Sequence, residues 1–249
     1  MKVYIDAGHG TPSDVGAVLG LRYESNDALI LAFSLDKKFK DQGWNTILSR
    51  TNGSGKKLAD RIKEANTTKC DIYLSLHRNA AVASGANGIE IWLNSKAPTT
   101  YKTWAINMLS DWTKLGFVNR GVKLGYRDAT TSDFAVNRDT TMPSMLIELG
   151  FITNVNDNKL LDINADKICD SIVRRCCEFK GTIYKNIGDL STDLKPVTDT
   201  PPVASVPNNA KKYKVQSQIY WSNKAYADAY ANKLNALSVD GVKFTVTEV

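Results

Sequence analysis

The stretch KVYIDAGHG at residues 2–10 decides the fold, because it joins a short apolar strand to a glycine turn that carries a histidine. The segments CDIYLSLHRNA at residues 70–80 and PSMLIELGF at residues 143–151 repeat the pattern, each with a polar functional group near the end of a buried strand. In open α/β sheets, ligands bind outside the carboxyl ends of the strands. The three segments therefore predict one site at the mouth of a sheet, containing His9, His77 and Glu148.

Strand and helix patterns alternate around these segments through residues 1–180. Apolar residues of helical period follow Glu24 as far as Lys40, and Gly43 ends that helix. Further helices are predicted at 58–67, 98–115 and about 156–179, and further strands at 44–48, 71–76, 88–93 and 144–149. The alternation predicts an α/β fold with a twisted, mixed, largely parallel sheet flanked by helices on both faces.

The rest of the chain is predicted to form a linker and a small module. Residues 188–210 contain four of the seven prolines and no apolar period, which is typical of an extended linker. Residues 211–249 follow a strand, helix and strand pattern and predict a small βαβ module. So short a unit buries little core. We therefore expect it to pair with a second copy, as a homodimer, or to pack against another surface, and we assign residues 1–182 to a catalytic domain.

Charge and composition narrow the function classes. The net charge of +6 and a pI near 9.0 suit an acidic polymer as partner. No basic run interleaved with aromatic residues is present, which argues against nucleic acid. No run of about 18 apolar residues exists to form a transmembrane segment. The four cysteines lack CxxC spacing and are interpreted as reduced, partly apolar residues.

The chain contains two histidines, and together with two glutamates they supply the residue types that a hydrolytic metal centre needs. Catalytic zinc commonly takes two histidines and one glutamate and leaves a position for water, and His9, Glu24 and His77 fit this set. Glu148 is the candidate that takes a proton from water and gives it to the leaving nitrogen. Each residue alone has a plainer interpretation, as a turn histidine, a helix-start acid or the partner of an arginine. Their joint occurrence, with glycines on both sides of His9, favours the metal centre.

Six motifs occur in order along residues 1–180: DAGHG at 6–10, Glu24 at a helix start, LADRIKEAN at 58–66, SLHRNA at 75–80, NRGVK at 119–123 and MLIELGFITN at 145–154. In this order they resemble the zinc-dependent N-acetylmuramoyl-L-alanine amidases of the Amidase_3 family. The resemblance implies one catalytic zinc ion bound by His9, Glu24 and His77, with Glu148 catalytic. It also implies the substrate, peptidoglycan, and the bond, the amide between N-acetylmuramic acid and the L-alanine of the stem peptide.

Further residues are expected to contact this substrate. By resemblance Asn79 contacts substrate or orients the site, and the alternative is a turn-forming asparagine. The polar stretch 125–142 is long for a connection and is predicted to form a substrate wall. Its charged residues Arg127, Asp133 and Arg138 either read the charges of the stem peptide or are solvated loop charges. Arg78 stands where the family usually has a small residue, which predicts an altered preference among muropeptides.

The stretch YKVQSQIYWSNKAYADAYANKL at 213–234 resembles the first half of a sporulation-related (SPOR) repeat. SPOR domains bind glycan strands that have lost their stem peptides. The resemblance implies that Tyr220, Trp221 and Tyr226 stack on sugars. A plain dimerisation module without glycan contact is the alternative.

The N-terminal sequence and the resemblance together predict where the protein acts. No secretory signal precedes the strand VYI, so we expect synthesis in the cytoplasm of the host bacterium without a signal peptide, and action on the cell wall after release. This favours a phage or prophage endolysin over a secreted autolysin. Two other functions stay open: a non-catalytic cell-wall-binding protein, and a zinc peptidase that cuts another bond of the stem peptide.

Overall fold

The computed structural model describes residues 1–10, 14–82, 85–127 and 132–186, and the backbone of 213–215, 219–221 and 246–248. The chain divides into two compact units, Met1–Thr182 and Ile183–Val249. The elements of the first unit are β1 (Lys2–Ala7), β2 (Val18–Leu19), β3 (Arg22–Tyr23), α1 (Glu24–Asp41), β4 (Asn45–Leu48), α2 (Leu58–Thr67), β5 (Ile72–Asn79), β6 (Ile89–Leu93), α3 (Thr99–Thr113), β7 (Asn119–Leu124), α4 (Ala135–Arg138), β8 (Ser144–Phe151) and α5 (Val155–Phe179).

Six strands form the central sheet of this unit, in the order β4-β1-β5-β8-β6-β7. The strands β4, β1, β5 and β8 are parallel to one another. Strand β6 is antiparallel to β8, and β7 is parallel to β6. The predicted mixed, largely parallel sheet is therefore confirmed. The short strands β2 and β3 form a separate antiparallel pair just before α1.

Helices pack on both faces of the sheet. Helix α5 contacts both α1 and α3, and these three helices contact strands β1, β5, β6 and β8. Alternate strand residues are fully buried on this side, as expected from the two-residue period of a strand. They include Val3, Ile5, Ile72, Leu74, Leu76, Met145, Ile147, Leu149, Ile89, Ile91 and Leu93. This apolar layer fixes the register of the strands, because a slip of one residue would turn every side chain to the other face.

The opposite face of the sheet is partly polar. Asp6 and Ser75 are paired across β1 and β5, and His77 and Glu148 are paired across β5 and β8. Glu90 on β6 is paired with Glu148 from the other side. At the other end of the same face, an apolar cluster packs beneath α2 and α4: Tyr4, Ala65, Cys70, Tyr73, Val136, Met142 and Leu146. The polar part of this face is the floor of a cleft.

The structure extends the strands that carry the site. The predicted strands 71–76 and 144–149 are observed as Ile72–Asn79 and Ser144–Phe151, so His77 and Glu148 lie within strands rather than at their ends. The period of apolar residues ends where a strand begins to line a cleft, although its backbone pairing continues. Strand β7 and helix α4 were not predicted. The four cysteines are buried thiols, in agreement with their interpretation as apolar residues.

The second unit contains the strands β9 (Tyr213–Val215), β10 (Ile219–Trp221) and β11 (Val246–Glu248), in the order β10-β9-β11 with both pairings antiparallel. The sequence predicted one strand from Lys212 to Trp221, and the structure instead has two antiparallel strands there. The predicted helix after Trp221 and the predicted linker 188–210 lie outside the described residues. In the described part of the chain, no helix is long and apolar enough to cross a membrane.

Candidate metal centre

The turn after β1 presents His9 in an uncommon backbone conformation. His9 has a φ of 61°, in the left-handed region. Its neighbour Gly8 lies so close to the His77 ring that a Cβ atom there would come within 2.5 Å of Cε1. Glycine is therefore required before His9, because any side chain at position 8 would clash with the His77 ring and prevent this close approach of the turn.

Glu24 is the first residue of α1 and is only 4% exposed. Its Oε2 accepts a hydrogen bond from the backbone N of Ala17 at 2.8 Å, and its Oε1 accepts one from the backbone N of Arg78 at 3.0 Å. The same Oε1 lies 3.1 Å from His9 Nε2 and 2.8 Å from His77 Nδ1. Backbone donors from two other segments thus hold the carboxylate between the histidines.

The three side chains offer ligand atoms that all lie within 4.8 Å of one another. The two imidazole rings are nearly perpendicular, with centroids 4.9 Å apart. Two imidazole nitrogens and a carboxylate oxygen form a donor set that suits a divalent metal such as zinc. The structure therefore brings together the three ligands that the sequence predicted, and their chemistry fits a metal ion.

Asp14 is a residue of this site that sequence reasoning missed. Its Oδ1 lies 2.8 Å from Nδ1 of His9 and also accepts a hydrogen bond from the backbone N of Gly16. A carboxylate on one ring nitrogen fixes the orientation of a histidine and leaves the other nitrogen for a metal. Its only signal in the sequence is its place five residues after His9.

Glu24 stabilises the charged forms of His9 and His77, and the two histidines stabilise the ionised form of Glu24. Burial opposes a charge on His9 and on His77, but the hydrogen bond and charge of Glu24 outweigh it and raise the pKa of both histidines. Burial also opposes the charge of Glu24, yet the two histidines hold the pKa of this carboxyl well below its usual range. Glu24 is therefore ionised at neutral pH, as a carboxylate ligand must be.

Glu148 lies next to this centre, paired with His77 across the sheet. Among the described residues, its Oε2 atom is buried without a hydrogen-bond partner. Burial, together with the charges of Glu24 and Glu90, raises the pKa of Glu148 to about 7, against the lowering effect of His77. A carboxyl that titrates near neutrality is suited to accept and return a proton.

Glu90 is a second residue that the sequence analysis missed. Its buried carboxylate accepts hydrogen bonds from Asn79 Nδ2 at 3.0 Å, Trp92 Nε1 at 3.0 Å and Arg120 Nε at 2.8 Å. The signal was available, because an isolated acid within the apolar strand IEIWL resembles the isolated acid that marked Glu148.

The three candidate ligands, Asp14 and Glu148 line a cleft of about 690 Å³. Its walls come from the turn of His9, the stretch 55–58, Arg61 of α2, the ends of β5 and β8, and residues 134–136. The last of these belong to the polar stretch 125–142, so that part of it forms a wall as predicted. A cleft of this size buries a ligand of several sugar or amino-acid residues.

Comparison with known proteins identifies the family. The family description N-acetylmuramoyl-L-alanine amidase, Amidase_3, matches residues 3–175. The match covers more than half of the chain and contains His9, Glu24, His77 and Glu148. The chain belongs to the Amidase_3 family. The predicted fold and family are therefore confirmed.

Individual proteins of known sequence or structure agree with this membership. Protein YqiI of Bacillus subtilis (strain 168), described as uncharacterized, is 35% identical over 175 residues, which cover 69% of this chain and 81% of YqiI. The N-acetylmuramoyl-L-alanine amidase LytC of the same strain is 32% identical over 178 residues, 68% of this chain but only 34% of LytC. The solved N-acetylmuramoyl-L-alanine amidase of Clostridium difficile 630 has a TM-score of 0.65 at 29% identity and covers 72% of this chain and 96% of that one.

Two predicted substrate-binding residues of this Amidase_3 domain line the cleft. Asn79 donates to Glu90, and its Oδ1 accepts a hydrogen bond from the backbone N of Ala80. Arg127 is exposed at the rim, and its charge acts on Glu148. Asp133 instead accepts hydrogen bonds from Ser95, and Arg138 pairs with its neighbour Asp139 in solvent. The contacts of Asp133 and Arg138 therefore agree with the alternative interpretation, in which these residues are local loop charges.

Arg78, the departure from the family pattern, contacts other side chains in the protein interior. Its side chain is completely buried and pairs with Asp27. It also donates to Asn158 Oδ1 at 2.7 Å and to the backbone oxygen of Gly150 at 3.3 Å. These contacts join β5 to α1 and α5, and the altered preference among muropeptides stays a prediction.

The predicted glycan-binding residues belong to the second unit. Tyr220 and Trp221 lie on β10. Tyr226 lies outside the described residues. Their role in binding glycan stays a prediction.

Proposed function

We propose that this protein is a zinc-dependent amidase that hydrolyses peptidoglycan at the amide between N-acetylmuramic acid and the L-alanine of the stem peptide. The observation that carries the proposal is the convergence of three metal-binding side chains, His9, Glu24 and His77, beside the unpaired carboxyl oxygen of Glu148. Membership of the Amidase_3 family supports the choice of bond.

His9, Glu24 and His77 would hold the zinc ion. When bound, the zinc ion would polarise the amide carbonyl and lower the pKa of the attacking water. Glu24 contributes the negative charge of the ligand set, and its backbone donors keep the carboxylate in place. Asp14 keeps Nδ1 of His9 occupied, so that Nε2 faces the centre.

Glu148 would move the proton that hydrolysis requires. Its carboxylate accepts a proton from the attacking water as the oxygen bonds to the lactyl carbonyl carbon. The protonated carboxyl then gives that proton to the alanine nitrogen as the C–N bond breaks, which leaves a free carboxylic acid and a free amine. Glu148 lines the cleft, and no described residue donates a hydrogen bond to its Oε2 atom, so its carboxyl is available for both transfers.

The cleft also offers groups that suit the stem peptide. Arg127 and Lys57 are exposed cations on its walls, and Lys56 beside them pairs with Glu64. Such cations attract the carboxylates of a stem peptide. We assign Arg127 to substrate binding on this basis, and Asn79 because it lines the same cleft.

The second unit would hold the enzyme at the wall. Binding to denuded glycan through Tyr220, Trp221 and Tyr226 would raise the local concentration of the catalytic unit. Self-association of this unit into a homodimer is the second proposal for it. The endolysin role, with synthesis in the host cytoplasm and release to the wall, also stays a prediction.

Digestion of purified peptidoglycan, with and without a zinc chelator, tests the function. We expect new N-terminal L-alanine without new reducing sugars, lost on chelation and restored by zinc. New termini at another amide would instead favour a zinc peptidase. Binding to several wall types without new termini would favour a non-catalytic wall-binding protein.

A further inference from the structure

The turn that carries His9 needs support from its surroundings. His9 has a side chain and a left-handed backbone, a strained conformation that persists only where neighbouring contacts fix it. A metal ligand in such a turn is placed accurately only if the backbone on either side is held.

Arg50 provides such contacts from beneath the turn. This residue follows β4 and is 6% exposed. Its Nε donates to the carbonyl of Ala7 at 3.0 Å, and its Nη2 donates to the carbonyl of Gly8 at 2.9 Å. The guanidinium therefore holds the two peptide groups that precede His9.

The same guanidinium also reaches the second ligand segment. Its Nη2 donates to the carbonyl of Ser25 at 2.6 Å. Ser25 follows Glu24 in the first turn of α1. One nitrogen of Arg50 therefore joins the turn of His9 to the helix end that carries Glu24.

We infer that Arg50 is a positioning residue for the metal centre, which sets the separation of His9 and Glu24 by holding both backbones. The inference rests on the proposed function, in which these two residues are zinc ligands. An arginine is needed because its planar fork of five donors reaches carbonyls of several segments at once. A lysine at this position would keep the charge and lose this geometry.

The test compares zinc affinity with stability in the full-length protein. Zinc affinity of Arg50→Lys and Arg50→Gln is measured by competition with a chromophoric chelator, at a temperature where circular dichroism shows the native fold. We expect zinc binding to weaken about 10–100-fold, as for other partners of metal ligands. We also expect an altered visible spectrum of the Co²⁺-loaded protein.

Arg175→Lys is the matched control. Arg175 joins α5 to α3 by donating to Asp111 through Nε at 2.7 Å and Nη2 at 2.9 Å, outside the cleft. We expect this variant to lower Tm and to keep zinc affinity within about twofold of the unmodified protein. If Arg50 only stabilises the fold, its variants should likewise lower Tm and keep zinc affinity within about twofold of the unmodified protein.

Two results distinguish a failure of the positioning role of Arg50 from a failure of the zinc site. Zinc affinity of a folded Arg50 variant within twofold of the unmodified protein would overturn the inference and leave the metal centre intact. Failure of the unmodified protein to bind zinc would overturn the metal centre itself. If one of the two Arg50 variants does not fold, zinc affinity is measured on the other.

Discussion

Glu148 differs from the three residues beside it in what it contacts. His9, Glu24 and His77 bind one another, whereas Oε2 of Glu148 has no partner among the described residues. On this difference we propose His9, Glu24 and His77 as metal ligands and Glu148 as the proton carrier.

Substitution separates these two roles. We expect Glu148→Gln to lower kcat by about 10²–10⁴-fold, because proton transfer is lost, and to leave zinc content unchanged. His77→Ala removes a ligand and should lose zinc as well. Turnover on soluble muropeptide and metal analysis of the purified variants measure both effects. Near-native turnover of Glu148→Gln would remove Glu148 from the mechanism.

Asp14 is a single residue that we expect to affect zinc binding through its contact with His9. The residue is largely exposed, and its Oδ1 accepts hydrogen bonds from Nδ1 of His9 and from the backbone N of Gly16. We expect Asp14→Ala to weaken zinc binding about 10–100-fold, and Asp14→Asn to lose less because its amide oxygen still accepts a hydrogen bond. Asp139→Ala is the control, because Asp139 pairs only locally with Arg138 in solvent. Equal zinc affinity of Asp14→Ala and the control would exclude the role.

At the scale of elements, the pairing of β6 with β8 places Glu90 beside Glu148. The negative charge of Glu90 helps to raise the pKa of Glu148, whose main cause is burial. Because the base must be ionised, kcat/KM should fall as pH drops through this pKa, which is about 7 without metal and lower beside a bound cation.

Glu90→Gln tests this pairing. Removal of the charge should lower the pKa of Glu148 and move the acid limb of the kcat/KM profile to lower pH. Glu178→Gln removes a charge on α5 outside the cleft and should leave the limb in place. A limb that stays fixed or moves to higher pH in Glu90→Gln would contradict the prediction.

Arg78 shows how β5, α1 and α5 are joined beneath the site. We expect Arg78→Met to lower the free energy of unfolding by about 3 kcal/mol, because Asp27 and Asn158 lose a buried partner. Arg22→Met should cost only about 1 kcal/mol, since Arg22 is partly exposed and Asp27 keeps Arg78. Urea unfolding measures both values. A changed preference between amidated and free stem peptides in Arg78→Met would support the predicted role in specificity.

The same elements show what the sequence could predict. The strands and helices with clear apolar periods were found, because their buried faces repeat every two or about 3.6 residues. Strand β7 was missed because it lies at an edge of the sheet and only Val122 and Leu124 of its residues NRGVKL are large and apolar. The contacts of Asp14, Arg50 and Glu90 join segments distant in the chain or depend on loop geometry, and no spacing rule encodes them.

At the scale of the whole molecule, the site and its supports all lie in the unit Met1–Thr182. This unit contains the six-stranded sheet, its helices and the cleft. The buried hydrophobic residues of the described chain all belong to this unit. The family match, residues 3–175, likewise lies within this unit.

We therefore expect residues 1–182 alone to fold and to hydrolyse a small soluble muramoyl peptide with kcat/KM within about twofold of the full chain. On intact walls the same piece should be at least about 100-fold slower at low enzyme concentration, because a tethered second binding site adds avidity of that order. Sedimentation of both forms, measured in parallel, distinguishes wall binding from dimerisation as the source of this loss. A full chain that sediments as a monomer and outperforms residues 1–182 only on intact walls would support wall binding. Equal rates on walls, with a dimer formed only by the full chain, would assign the second unit to self-association instead.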